Sequence, residues 1–171
     1  MKSGIFHRLD TAARQMVPFG ITVLLLLLGM VPIHVPGFSQ LMPWLALMSI
    51  FHWGMYRPEL MPGFGVFLLG VLQDTLLGTP IGLHSIIYLG VYGAVTFQHG
   101  FFHDKSFAVI WMVFSLVAGG GILAGLVLVS LVQGGIVAPG AAFFQYLLTV
   151  GFFPVISWLL SKIHRLVLES V

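Results

Sequence analysis

Long apolar runs separated by short polar breaks set the rhythm of this sequence. Stretches such as Val23–Leu28 and Val66–Leu69 are continuously apolar, so they lack the period-two alternation that a membrane barrel needs over each roughly ten-residue strand. Helices are expected instead. The runs predict six helical membrane spans, at about 17–33, 38–53, 61–77, 83–97, 107–132 and 141–160. Three of the breaks are rich in helix breakers: His34-Val35-Pro36-Gly37, Gly78-Thr79-Pro80-Ile81-Gly82, and the stretch from Gln133 to Gly140. The two between them, 54–60 and 98–105, are polar and charged. The second to fourth segments are short, which suits either untilted spans in a thinned bilayer or helices that stop inside a bundle.

Composition sharpens this picture. Apolar residues make up 58% of the 171 positions and charged residues 7%, where a soluble domain carries about a quarter. Twelve charged residues cannot clothe a soluble fold of this length, so the bilayer is the expected solvent. The fold class is an all-α polytopic membrane protein with six transmembrane helices, in one integral membrane domain covering 1–171. The basic start followed by the apolar run from Val17 has the layout of a signal peptide. No small-x-small cleavage site follows, however, so an uncleaved first span is expected. The absence of cysteine excludes disulfides and Cys-based metal or redox sites.

The net charge of +2 would hint at nucleic acid in a soluble protein. Here the basic residues read as topology signals, and no nucleic-acid partner is expected. Lys2, Arg8, Arg14, Arg57, Lys105, Lys162 and Arg165 all fall in the N-terminal region, the 54–61 and 98–106 loops, or the C-terminal region. By the positive-inside rule those parts are cytoplasmic, with both termini inside.

Candidate chemistry is sparse. Asp74 is the one acid within an apolar segment, about one turn from the outer end of the third helix, and intramembrane acids are costly and face the bundle interior. Gly63, Phe67, Gly70, Asp74 and Gly78 follow at helical spacing and are expected to share one face, small enough at its glycines for close approach of a neighbour. An antiparallel hairpin around Pro80 brings residue 74 opposite about 84–88, which offers His84, Ser85 and Tyr88 as partners. A structural role for Asp74 and a direct chemical one, such as a proton relay with His84, both fit that spacing. Gly121 and Gly125 form a GxxxG pair that marks helix packing. His99 and His103 stand four apart beside Asp104, but Gly100 interrupts them and a solvated loop is the expectation; no metal site is expected. Arg57-Pro58-Glu59 reads as a helix entry and cytoplasmic anchor for the third segment. With no phosphate loop, HExxH or paired carboxylates, neither a catalytic residue nor a cofactor is expected.

Several spaced features together resemble the bacterial rod shape-determining MreD family. They are Pro43-Trp44-Leu45, Phe51-His52-Trp53, Tyr56-Arg57-Pro58-Glu59-Leu60, and the stretch GFGVFLLGVLQDTLLGTPIG from Gly63 to Gly82. In that stretch an apolar run reaches Asp74 and ends in the G-x-P-[LI]-G turn with Gly78, Pro80 and Gly82. Two features depart from the family pattern: Gln73 stands where an apolar residue is usual, and the 98–105 loop is less basic. The resemblance implies a non-catalytic scaffold of the bacterial inner membrane that serves the cell-wall elongation machinery. It implies MreC as partner and, indirectly, MreB filaments and the glycosyltransferase and transpeptidase that build lateral peptidoglycan, with membrane lipid around it. It also implies a six-helix arrangement similar to the substrate-binding subunits of energy-coupling-factor transporters. That likeness and the buried acid motivate an alternative, a small-molecule-binding carrier subunit.

Overall fold

A computed structural model describes residues 3–30, 43–102, 104–134 and 139–168. Among these residues are seven α-helices and no strand: α1 (Ser3–Leu28), α2 (Leu45–Tyr56), α3 (Gly63–Leu77), α4 (Leu83–Phe97), the short α5 (His99–Phe102), α6 (Phe107–Gln133) and α7 (Pro139–Leu168).

Several helices begin or end at other residues than the expected spans, each for a local reason. Helix α1 begins at Ser3 rather than near Val17, because nothing in the polar stretch before Val17 breaks a helix. Helix α7 likewise runs past 160 through Lys162 and Arg165. The third segment starts at Gly63, not at 61. Pro58–Leu60 forms its own 3-10 turn, and Met61, kept out of the helical region before an extended Pro62, separates that turn from the helix. Arg57-Pro58-Glu59 is therefore a turn and not the first turn of α3. Helix α2 starts at Leu45; residues 31–33 and 38–42 of the expected first and second spans lie outside the described residues.

Helix α2 is the centre of the bundle. Every residue from Ala46 to Met55 is buried, as expected of a helix apolar all round. It packs on α1, α4 and α7, while α3 pairs with α4, α4 with α6, and α6 with α7. Phe51 anchors this centre, meeting Phe102, Phe114 and Phe153 edge to face, with Phe114 and Phe153 stacked 3.9 Å apart.

The exterior is as apolar as the interior. Phe64, Phe97, Leu116, Leu131, Phe143, Phe144, Trp158 and Leu166 are all exposed, whereas Thr22, Ser49, His52, Gln73, Asp74, His84, Ser85, Thr149 and Ser157 are buried. Water would reject such a surface and hydrocarbon would not. Helices α6 and α7 are each long and apolar enough to cross a membrane, over Phe107–Val132 and Pro139–Leu166. Helices α3 and α4, at 15 residues each, rise only about 22 Å.

The two ends of the bundle differ. Trp53 stacks on His164, Phe51 meets Phe102, and Tyr92 Oη donates to the Pro58 carbonyl at 3.1 Å. These contacts gather Arg57, Lys105, Lys162 and Arg165 toward one end. The α3–α4 turn, the start of α2 and the start of α7 gather at the other, which carries no Lys or Arg among its described residues.

Candidate functional site

At the end without Lys or Arg, the α3–α4 hairpin is built around Asp74. Gly78, with φ +65°, ends α3, and Gly82, with φ +101°, begins α4; both need the left-handed conformation that glycine adopts without strain. Gly82 has no side chain with which to cap α4. The carboxylate of Asp74 serves instead, reaching across from α3. Its Oδ2 accepts from the Gly82 N–H at 2.8 Å, and the His84 N–H lies 3.1 Å from Oδ1. Thr79 Oγ1 donates to Oδ1 at 2.8 Å, and His84 Nδ1 approaches the same oxygen at 2.6 Å. The backbone carbonyl of Asp74 accepts from Gly78 and Thr79 N–H, closing the end of α3. One residue thus terminates a helix through its backbone and caps the next through its side chain.

Asp74 is fully buried, and it is well satisfied. Both oxygens are engaged, and the positive end of the α4 dipole faces a negative group. With Oδ1 as acceptor, Nδ1 of His84 carries a proton. The ring of His84 is held edge-on against Trp44, with centroids 5.6 Å apart.

The other two expected partners do not touch the acid. Ser85 Oγ donates to the Phe67 carbonyl at 3.1 Å, and Tyr88 Oη hydrogen-bonds Gln73 Oε1. The hairpin meets Asp74 at its near end, through the turn and the first residues of α4, so the residues farther along pair with positions further back on α3. Thr79 and Gln73 were missed by sequence reasoning. The short turn holding Thr79 was a signal for the first, and the polar residue in an apolar run was a signal for the second.

The expected α3 stripe is part right in space. Gly70 and Asp74 face α4, but the buried face continues through Val66, Leu69 and Gln73, and Phe67 is 40% exposed. Gly70 is the point of closest approach: a Cβ there would lie 2.3 Å from Ser85 Cα and 2.4 Å from Ser85 N. Gly121 and Gly125 pack on α4 and Trp44 more loosely, with Ile87 methyls 3.3 and 3.4 Å from the corresponding Cβ positions. Pro80 lies within the turn, its carbonyl accepting from Leu83 N–H at 3.2 Å. Arg57 and Pro58 lie at the opposite end, where Arg57 makes an exposed ion pair with Glu59 at 3.3 Å. His99 opens helix α5 rather than sitting in an irregular loop; His103 is outside the described residues.

Above the hairpin lies a cavity of about 530 Å³ between the ends of α1, α3 and α6 and the starts of α2, α4 and α7. Leucines dominate its lining, interrupted by Trp44, Gln73, Thr79, His84 and Gln145. Asp74 is not among the lining residues; it sits behind His84.

No curated protein and no solved structure matches this chain. The sequence profile described as "rod shape-determining protein MreD" matches residues 12–163, nearly the whole chain. An all-helical bundle with an apolar exterior, two helices long enough to span a bilayer, and a match of that extent lead to one assignment: the chain belongs to the rod shape-determining MreD family of membrane proteins.

Proposed function

We propose that this protein is a non-catalytic scaffold of the cell-wall elongation complex in the bacterial inner membrane. In this reading it crosses the bilayer six times with both termini in the cytoplasm and binds MreC. Through MreC it helps couple MreB filaments to the enzymes that build lateral peptidoglycan. The observation that carries the non-catalytic part is the state of Asp74. Both of its oxygens are used by helix-capping and side-chain donors, which supports a structural role for this acid in the α3–α4 hairpin. The gathering of Arg57, Lys105, Lys162 and Arg165 toward one end supports a cytoplasmic face there.

The test is cellular. Depleting the protein in a rod-shaped host should widen and round the cells, and a copy carrying Asp74→Asn should restore rods. Normal cell width without the protein would contradict the scaffold reading.

The cavity at the end without Lys or Arg favours a second reading, a small-molecule carrier subunit similar to those of energy-coupling-factor transporters. Such a subunit requires an energising ATPase module as its stable companion, so the companion separates the two readings.

A further inference from the structure

The cavity contains two polar groups that the fold itself leaves open. His84 is buried, with 4% of its surface accessible, and its Nδ1 is committed to Asp74. The side-chain hydrogen bonds of His84 among the described residues all run through Nδ1, so Nε2, on a ring that lines the cavity, is left open there. Gln73 lines it too, and its Oε1 is taken by Tyr88, which leaves the amide N–H₂ as a donor without a partner among the described residues. An acceptor and a donor therefore stand on adjacent helices, surrounded by Leu25, Leu26, Leu83, Ile122 and Leu126.

We infer that this cavity binds an uncharged, mostly apolar molecule through a hydroxyl head seated between His84 Nε2 and the Gln73 amide. A hydroxyl both donates and accepts, so one group satisfies both side chains. The volume of about 530 Å³ is that of a small-molecule site. Charged heads are disfavoured: the described lining residues include no Lys, Arg, Asp or Glu, and the carboxylate behind His84 is already fully hydrogen-bonded, so an ion moved there from water would find no free counter-charge. The inference goes beyond the scaffold reading and stands whether or not that reading holds.

Photolabelling of the purified full chain in detergent tests it. The probes are ten-carbon chains bearing a mid-chain diazirine and ending in hydroxyl, methyl, carboxylate or trimethylammonium, with adducts mapped by mass spectrometry. The alcohol should label the cavity-facing ends of α1, α4 and α6, be displaced by excess decan-1-ol, and exceed the other three probes about tenfold, the factor expected for one or two neutral hydrogen bonds. Leu126→Phe, which narrows the cavity, should abolish that labelling, and outward-facing Leu131→Phe should leave it unchanged. Ala142→Phe serves the same purpose if Leu126→Phe lowers the yield of folded protein. Gln73→Met should bring the alcohol close to the methyl-ended probe. Labelling spread over the exposed faces of α6 and α7 and indifferent to the cavity variants would overturn the inference. Equal labelling of the cavity by the carboxylate or ammonium probe would do the same.

Discussion

Asp74 ends one helix and begins the next, and its substitutions separate a structural role from a chemical one. Asp74→Asn keeps one oxygen for the Gly82 and His84 N–H groups and can donate to His84 if that ring shifts its proton to Nε2. Its cost should be about 1 kcal/mol, mostly the lost charge at the α4 dipole. Asp74→Leu strands the Gly82 and His84 amides and the Thr79 hydroxyl, each at about 1–3 kcal/mol, less whatever water recovers from the cavity side. Thermal unfolding in detergent should therefore rank wild type, Asn and Leu in that order, with rod shape lost only for Leu. Equal loss of shape in both would point to proton transfer. The inward aim of Asp74 and its contact with His84 were legible in the sequence, because an acid in an apolar helix beside a five-residue turn has few places to go. The division of labour among Ser85, Tyr88, Gln73 and Thr79 was not. It depends on where along the hairpin the two helices come into register, and spacing alone leaves that open by about a turn.

At the scale of elements, the α3–α4 pair is fixed by one glycine. A methyl on Gly70 would fall on the backbone of Ser85, which cannot swing aside as a side chain can. Gly70→Ala should force the helices apart, cost about 1–3 kcal/mol or more, and weaken the Asp74 cap with it. Gly125→Ala meets only the ends of Ile87 and Trp44 at ordinary contact distance, so it should change the unfolding temperature little. A ranking with Gly125→Ala the more damaging would contradict the geometry. The bounds of α4 were legible because glycine, proline and a polar break flank it, and α6 was legible because its 27 residues contain no proline and no charge. The starts of α1 and α3 were not, since apolar runs mark where a helix meets hydrocarbon and not where its hydrogen bonding begins. The tight glycine contact was expected at the GxxxG of α6 as well as on α3, and only the packing of the helices distinguishes a 2.3 Å clash at Gly70 from a 3.4 Å contact at Gly125.

At the scale of the molecule, orientation comes first. Ile81, 79% exposed in the α3–α4 turn, should label from outside the cell when replaced by cysteine, while Lys105→Cys and Lys162→Cys should label only after the membrane is opened. Labelling of position 105 in intact cells would reverse or break the six-span proposal. The apolar exterior was legible from composition, but the cavity was not. Its walls come from six helix ends far apart in sequence, and no spacing rule reports the space left between them. What the molecule does depends on its company, and the most direct measurement is its stable companion in the native membrane. Tagged protein should be extracted in a mild detergent and its co-purifying chains quantified. The scaffold account predicts MreC in a fixed stoichiometric ratio, persisting in Asp74→Asn. A stoichiometric ATPase module in its place, with no MreC, would contradict it.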